Sequence, residues 1–595
     1  MTVSTGLKRN AAKPKLNSGI KPVTSTLPMG LLLAGCGGGS DGASTNPSQN
    51  QSFGSNSQSL TSFTTPVSTV FSQTYANPVS LSAPSTDQSR AESYLTAFKG
   101  KTALTDLANK NSIDGLLIAN DTTPTKTEYW KNQSAQDTIS FSFFDTDLKL
   151  LDQTAYEADP LTREVYENGF HTFSDTQKEA VRSALNEFEK VLDVQFVEVT
   201  EQNNEVGTIR FGMSQSALAG DTVAFAQTPG DYWASNGDVW FNSSFKDEDI
   251  SSGTWFYHVV LHEIGHSMGL SHPHEGGAVT LDSTLDRTNY TLMSYEQPTW
   301  AYFGSGADRY FTISESLMVY DIQALQHLYG ANSTHNAGNT KYQFDPATPT
   351  SLTIWDAGGE DLLDFSNFSQ ACIIDLNDGS YSTIRYASWN PSENFGIAFN
   401  TYIENVSGSQ ANDTITGNEL NNEIFGNNGN DTLYGRAGND VFNSSATSRG
   451  GVDTMYGGTG DDTYYLLNAS DVVIELVSEG TDTVYTQTSY TLPSNVENVI
   501  GYGTQGGLSV TGNGLDNVIS GSSGNDTLVG GDGADDFLLY LGMGDDRVTD
   551  FNETEGDEVV LAYGLLGYSY EETSTGATYS LSDGSSLELV YELVA

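Results

Sequence analysis

The amino-acid sequence predicts a mixed α/β domain followed by an all-β module of the parallel β-roll type. Three observations carry this prediction. Apolar residues recur at helical spacing after Ser174, and short strand-like runs follow them. A histidine-rich stretch, 262–272, lies in a second helical pattern. From residue 345 onward helix signals vanish, and Gly, Asn and Asp recur with a period of nine. Length leaves room for about four domains in 595 residues.

The first elements are not globular. Lys8, Arg9, Lys13, Lys15 and Lys21 precede the apolar run 27–35, Cys36 and three glycines. Basic, then apolar, then small is the order of a secretory signal. Leu33-Ala34-Gly35-Cys36 also resembles a bacterial lipoprotein box, whose cysteine is lipidated. Residues 1–40 therefore read as a targeting segment with a lipid anchor at Cys36, or as an unstructured leader. Residues 41–110 read as a disordered tether, rich in Ser, Thr, Gln, Asn and Pro. Within it, 96–110 reads as a short amphipathic piece of a prosegment.

The α/β domain is expected over 111–332. Ser174 and Gln177 have capping-box spacing. Ala180, Val181, Ala184, Leu185, Phe188, Val191 and Leu192 then mark one helix face. Runs at 194–199, 208–213 and 238–241 read as strands. Further helices are expected from Trp255 and near 322–328.

Residues 262–272 read His-Glu-Ile-Gly-His-Ser-Met-Gly-Leu-Ser-His. His262 and His266 project from one helix face and can share one ion. Glu263 can reach a water on that ion without ligating it. Gly269 lets the helix stop and turn, because glycine accepts positive φ cheaply. His272 then returns as a third ligand. Three neutral nitrogens with an open position suit catalytic zinc. His258 reads as a helix-face residue and His274 as a loop residue.

The eleven-residue motif and the later Met293-Ser294-Tyr295 form a metzincin signature. The chain resembles the serralysin family of bacterial secreted metalloproteases. Residues 173–188, 237–242, 262–273, 321–332 and 355–365 carry the likeness, which covers 111–595. The resemblance implies a two-lobed metzincin protease domain and zinc-dependent cleavage of protein or peptide substrates. It implies Met293 as a hydrophobic floor under the metal. It implies Tyr295 as a further ligand that swings away to stabilise the oxyanion. By family position, 223–227 is the edge strand that pairs with substrate. His274 departs from the small residue more usual after that proline. No charged residue stands out as a specificity determinant, so broad cleavage of loose polypeptide is expected.

The β-roll module is expected over 345–595. Nonapeptides begin at Gly408 and, after a break, at Gly512. Their sixth positions, Asp413, Asp431, Asp440, Asp453, Asp462, Asp526 and Asp535, offer hard oxygen to calcium. Asn422 and Asn517 replace aspartate, so those turns bind more weakly or act as ends. Ile415, Leu433, Met455 and Leu528 fill the core. Cys372 reads as a buried strand thiol.

Composition narrows the partners. Lys+Arg total 25 and Asp+Glu 76, a formal charge of −51. That balance disfavours nucleic acid and favours cations. Two cysteines exclude a disulfide scaffold. Extracellular calcium modules bind at about 10⁻⁴–10⁻³ M, so the repeats would fold outside the cell. Glu592-Leu593-Val594-Ala595 resembles an uncleaved type I secretion signal. The reading is a secreted, extracellular zinc endopeptidase that engages type I machinery, with surface tethering through Cys36 left open. The alternative is a calcium-dependent adhesion protein with a vestigial protease domain, against which an intact Glu263 argues. A narrow-specificity processing protease is a third reading.

Overall fold

The structure, a computed structural model, describes residues 50–53, 101–106, 116–117, 119–120, 123–131, 137–144, 171–201, 206–214, 223–230, 235–274, 281–303, 310–311, 313–443, 450–503, 506–562 and 568–591. Cys36 and 592–595 lie outside them, as do most of 1–110. Contacts divide the chain into two compact units, one of residues 50–403 and one containing 404–595.

The first unit is built on a five-stranded sheet. We label its strands β1 (Asp137–Phe143), β2 (Val194–Glu198), β3 (Ile209–Ser214), β4 (Ala224–Ala226) and β5 (Asp238–Asn242). Their spatial order is β2-β1-β3-β5-β4. All pairings are parallel except β4 with β5, so an antiparallel strand forms one edge.

Helix α1 (Asp175–Val191) opens with the expected capping box: Gln177 N–H donates to Ser174 Oγ, and Ser174 N–H to Gln177 Oε1. Its buried face is Val181, Ala184, Leu185, Phe188 and Val191, the apolar stripe of the sequence. Helix α2 (Trp255–Ser267) is buried on every side from Phe256 onward, which its near-continuous apolar composition allows. Its end is a Schellman motif: Leu270 N–H reaches Gly265 O at 2.9 Å and Gly269 N–H reaches His266 O at 3.0 Å. Gly269 has φ +108°, a conformation that an L side chain resists. Two distant side chains cover the last carbonyls: Trp130 Nε1–H donates to Ser267 O at 2.7 Å, and Tyr329 Oη to Met268 O at 2.9 Å. Helix α3 (Val319–Tyr329) completes the core.

Two features depart from the sequence expectation. Trp355 and Ala398 join the same core as α1 and α2, so the first unit runs to Ile403 rather than ending near 332–345. The composition changes there, but Leu352–Ile354 and Phe395–Ile397 pair in parallel and lead directly into Trp355 and Ala398, which enter the first core. Within the expected tether, Asn50–Phe53 pairs in parallel with Lys341–Phe344, and Lys101–Asp106 pairs antiparallel with Thr123–Lys131. Main-chain pairing needs no apolar composition, which is why composition missed it.

The second unit is the expected parallel β architecture. Short strands Asn405–Ser407, Glu423–Phe425, Val441–Phe442, Thr463–Leu466 and Thr483–Thr486 belong to one sheet. Thr414–Thr416, Thr432–Ala437, Thr454–Thr459 and Val472–Ile474 alternate with them in another. Central residues Ile415, Leu433, Met455 and Leu528 are wholly buried. Cys372 is buried as expected, immediately before strand Ile373–Asp375.

One charged pair lies in the core of the first unit. Arg210 on β3 binds Glu201 through Nε at 2.7 Å and Nη2 at 2.9 Å, with side chains 2% and 5% exposed. Its guanidinium also stacks 3.7 Å from the Phe144 ring centre. Removing one partner of such a pair strands a buried charge. Glu201→Ala is expected to lower unfolding free energy by about 3–5 kcal/mol in urea titration, and Glu201→Ala/Arg210→Met to recover much of that loss.

Candidate metal centre

Helix α2 delivers His262 and His266 to one point, and the turn at Gly269 returns His272 to it. His272 Nε2 stands 3.1 Å from His262 Nε2 and 3.0 Å from His266 Nε2. Nitrogens bound tetrahedrally at 2.0–2.1 Å stand about 3.3 Å apart, so the spacing fits one zinc ion. All three rings are at most 1% exposed.

The tautomers are set by carbonyls. His262 Nδ1 lies 2.7 Å from Leu292 O, and His266 Nδ1 2.7 Å from Leu270 O. A carbonyl only accepts, so each Nδ1 carries the proton and each Nε2 keeps its lone pair. Burial holds His262 down at about 4 and His266 well below the usual imidazole range. Burial and the neighbouring His266, His262 and His274 depress His272 too. The trio is neutral at physiological pH, as a metal requires.

Tyr295 Oη lies 2.5 Å from His272 Nε2, so the tyrosine reaches the point where the nitrogens meet. Glu263, beside His262 on α2, is 1% exposed, and neither carboxylate oxygen has a hydrogen-bond partner. Burial raises its pKa well above the carboxylate range. Met293 is fully buried against the helix. A Cβ on Gly265 would come within 2.9 Å of its sulfur, so glycine inside the motif admits the methionine. His258 is buried next to His262, outside the trio. His274 lies parallel to His272, ring centres 5.6 Å apart, with Nδ1 3.4 Å from Asp286.

A second layer was not legible in the sequence. Asp321, at the third position of α3, is fully buried. It accepts from Thr291 Oγ1 at 2.5 Å, Leu292 N–H at 2.7 Å and Met318 N–H at 3.0 Å. Leu292 in turn accepts from His262. Asp321 therefore orients a ligand through the backbone of a single residue, Leu292. Glu393 braces the same turn, accepting from Tyr290 Oη and, through its carbonyl, from Asn289 Nδ2 at 3.2 Å.

The seven predicted aspartates of the repeats lie in separate ladders: Asp413, Asp431 and Asp453 in one, Asp440 and Asp462 in a second, Asp526 in a third and Asp535 in a fourth. Within a ladder each side chain caps the preceding turn: Asp431 Oδ1 accepts from Asp413 N–H at 2.8 Å, and Asp462 Oδ1 from Asp440 N–H at 2.7 Å. Asp453 likewise accepts from Asp431 N–H at 3.0 Å, and Asp535 from Asn517 N–H at 2.9 Å. Asp471, Asp482, Asp546 and Asp557 continue the ladders and were missed. Their signal was an aspartate two residues before an apolar one, without the full glycine framework. The second oxygens differ. Those of Asp440, Asp462 and Asp535 are buried without a partner, whereas Ser409 and Ser522 hydroxyls donate to Asp413 and Asp526 at 2.8 and 3.0 Å. Asn422 and Asn517 spend their amide N–H groups on carbonyls of Glu404 and Glu497 at 3.0 and 3.1 Å. Those two turns close on themselves, as neutral side chains can.

Comparison with known proteins agrees with this geometry. Residues 155–293 match the Matrixin family, 319–489 match Peptidase M10 serralysin C terminal, and 511–548 match the RTX calcium-binding nonapeptide repeat. These three stretches are similar to the parts of a serralysin-type metzincin with RTX repeats. Serralysin B of Dickeya chrysanthemi is 33% identical over 270 residues, covering 41% of this chain and 53% of that protein. Serralysin of Proteus mirabilis is 31% identical over 276 residues, covering 41% and 54%. Metalloprotease AprA of Pseudomonas entomophila is 34% identical over 271 residues, covering 41% and 54%. The chain spans about half the length of the curated relatives it matches. The serralysin type implies zinc and calcium, and the neutral trio and partnerless carboxylates fit them.

Two outcomes follow. Asp321→Asn should weaken zinc binding about 10–100-fold, read by competition with a chromophoric chelator. Burial raises the carboxyls of Asp440 and Asp546 to about 8, and Asp535 to about 7. Folded values above the unfolded ones mean stability that is present below about pH 4 and lost as pH rises toward 8. In chelator the denaturation midpoint of the roll should therefore fall between pH 4 and 8, and calcium should restore it at pH 8.

Proposed function

We propose that the chain is a secreted zinc endopeptidase that hydrolyses loose polypeptide and is stabilised by calcium. The observation that carries this reading is the convergence of His262, His266 and His272 with Tyr295, next to a buried Glu263 whose carboxylate has no hydrogen-bond partner. A zinc ion held by the trio would act as a Lewis acid and make water a nucleophile near neutral pH. Glu263 takes the proton of the attacking water as general base and returns it to the leaving amine. Tyr295 Oη donates a hydrogen bond to the oxyanion. Strand β4, antiparallel at the edge of the sheet, suits an extended substrate that adds as a further strand. Its side chains Ala224, Phe225 and Ala226 are uncharged, which supports broad sequence tolerance. Export as an unfolded chain is supported by the −51 charge and by carboxylates that need calcium to be buried.

The test is casein hydrolysis at about 10⁻³ M calcium with stoichiometric zinc. Glu263→Ala should lower kcat about 10²–10⁴-fold with zinc still bound. Tyr295→Phe should lower kcat about 10²–10³-fold and leave KM nearly unchanged. A wild-type chain that holds zinc, folds its roll and cleaves nothing would sink the reading.

A further inference from the structure

Among the described residues, one turn of the roll brings three carboxylates together: Asp462, Glu475 and Asp482, with ligand oxygens all within 4.8 Å of one another. Two of them belong to one aspartate ladder. Glu475 does not. It follows strand Val472–Ile474, which pairs with Thr454–Thr459 so that Ile474 lies opposite Tyr456. The next residue, Glu475, thus falls in register with Gly457, where the repeat calls for glycine. Gly435 fills that position one turn earlier. The loop is also longer. Seven residues separate Ile474 from Asp482, against five between Tyr456 and Asp462.

The side chains point to a ligand. Asp462 and Asp482 are 1% exposed and Glu475 5%. Asp462 Oδ2, Glu475 Oε2 and Asp482 Oδ2 have no hydrogen-bond partner. The other oxygen of Glu475 accepts from the buried Tyr464 hydroxyl. Gly457 forms a cradle, since a Cβ there would run into Asp462 Oδ2, Glu475 Oε1 and Tyr464 Oη. Three carboxylates cannot share a buried space as anions without a cation between them. Two oxygens on opposite sides of calcium are about 4.6–5.2 Å apart, and on opposite sides of magnesium about 4.0–4.2 Å.

We propose that Asp462, Glu475 and Asp482 form a calcium site of higher affinity than the glycine-lined turns, in which Glu475 supplies a third carboxylate. Ligand charge is what tunes calcium affinity in oxygen sites, and this turn has one charge more than a two-aspartate turn. The site fills first as calcium rises, and it fixes the long loop 475–481 in place. The proposal does not rest on proteolysis, because its readouts count ions.

The experiment is calcium binding to the full chain by calorimetry and equilibrium dialysis, with roll folding followed by circular dichroism. Glu475→Gln should remove the tightest class of ion and raise the calcium midpoint for folding at least tenfold. Glu419→Gln, an exposed charge-matched control on the same roll, should change neither. Tyr464→Phe should keep the ion count. An unchanged tight class in Glu475→Gln overturns the proposal. So does a Tyr464→Phe variant that loses folding as severely as Glu475→Gln at constant ion count, because Glu475 would then serve only the hydroxyl. If Glu475→Gln does not fold, a crystal structure of the wild-type chain grown in calcium decides. Density about 2.3–2.6 Å from oxygens of all three residues is expected, and an ion in the neighbouring turns with none touching Glu475 refutes the site.

Discussion

Burying a polar atom without a partner costs about 1–3 kcal/mol, and more for a charge. This chain does so repeatedly. Both oxygens of Glu263 are in that condition, as are the second oxygens of Asp440, Asp462, Asp482, Asp535 and Asp546. A cation placed among the aspartates would offset the cost of burying them, and the repeat architecture brings them close enough to share one. Two cysteines in 595 residues allow at most one disulfide, so a disulfide scaffold is excluded.

The two units meet that constraint with different chemistry. In the first, a fully buried helix presents neutral imidazoles, and carbonyls of Leu292 and Leu270 fix their tautomers. Three imidazole nitrogens that leave a further position open suit a catalytic zinc. In the second, a short repeat multiplies hard oxygen along rows of turns, each aspartate bonded to the backbone of its neighbour. The repeat tolerates variation. Asparagine at 422 and 517 satisfies a turn from within the protein, serine at 409 and 522 does so in part, and Glu475 adds charge instead of removing it.

The metal centre also depends on residues remote in sequence. Asp321 reaches across 29 positions to Leu292, and Glu393 across 103 to Tyr290. The segment after α3 therefore stays in the first unit although its composition already resembles the second. A turn that must hold Met293 against Gly265 and Tyr295 against His272 needs support from both sides, and 313–403 supplies it.

Local spacing determined much of this protein. A helical period placed His262 and His266 on one face, Gly269 turned the chain, and a nine-residue register put Asp at most of the turns and an apolar residue in the core layers between them. Those relations span a few residues and follow from backbone geometry alone. Tertiary structure decided what lies opposite: Asp321 behind Leu292, Arg210 against Glu201, Trp130 and Tyr329 on the end of α2, and Glu475 facing Asp462 and Asp482. Such pairs are set by how elements pack and by which loops lengthen, and no periodicity in the chain encodes that. The short strand β4 shows the same division, since its three uncharged residues carry no pattern of their own and only the sheet makes them an edge.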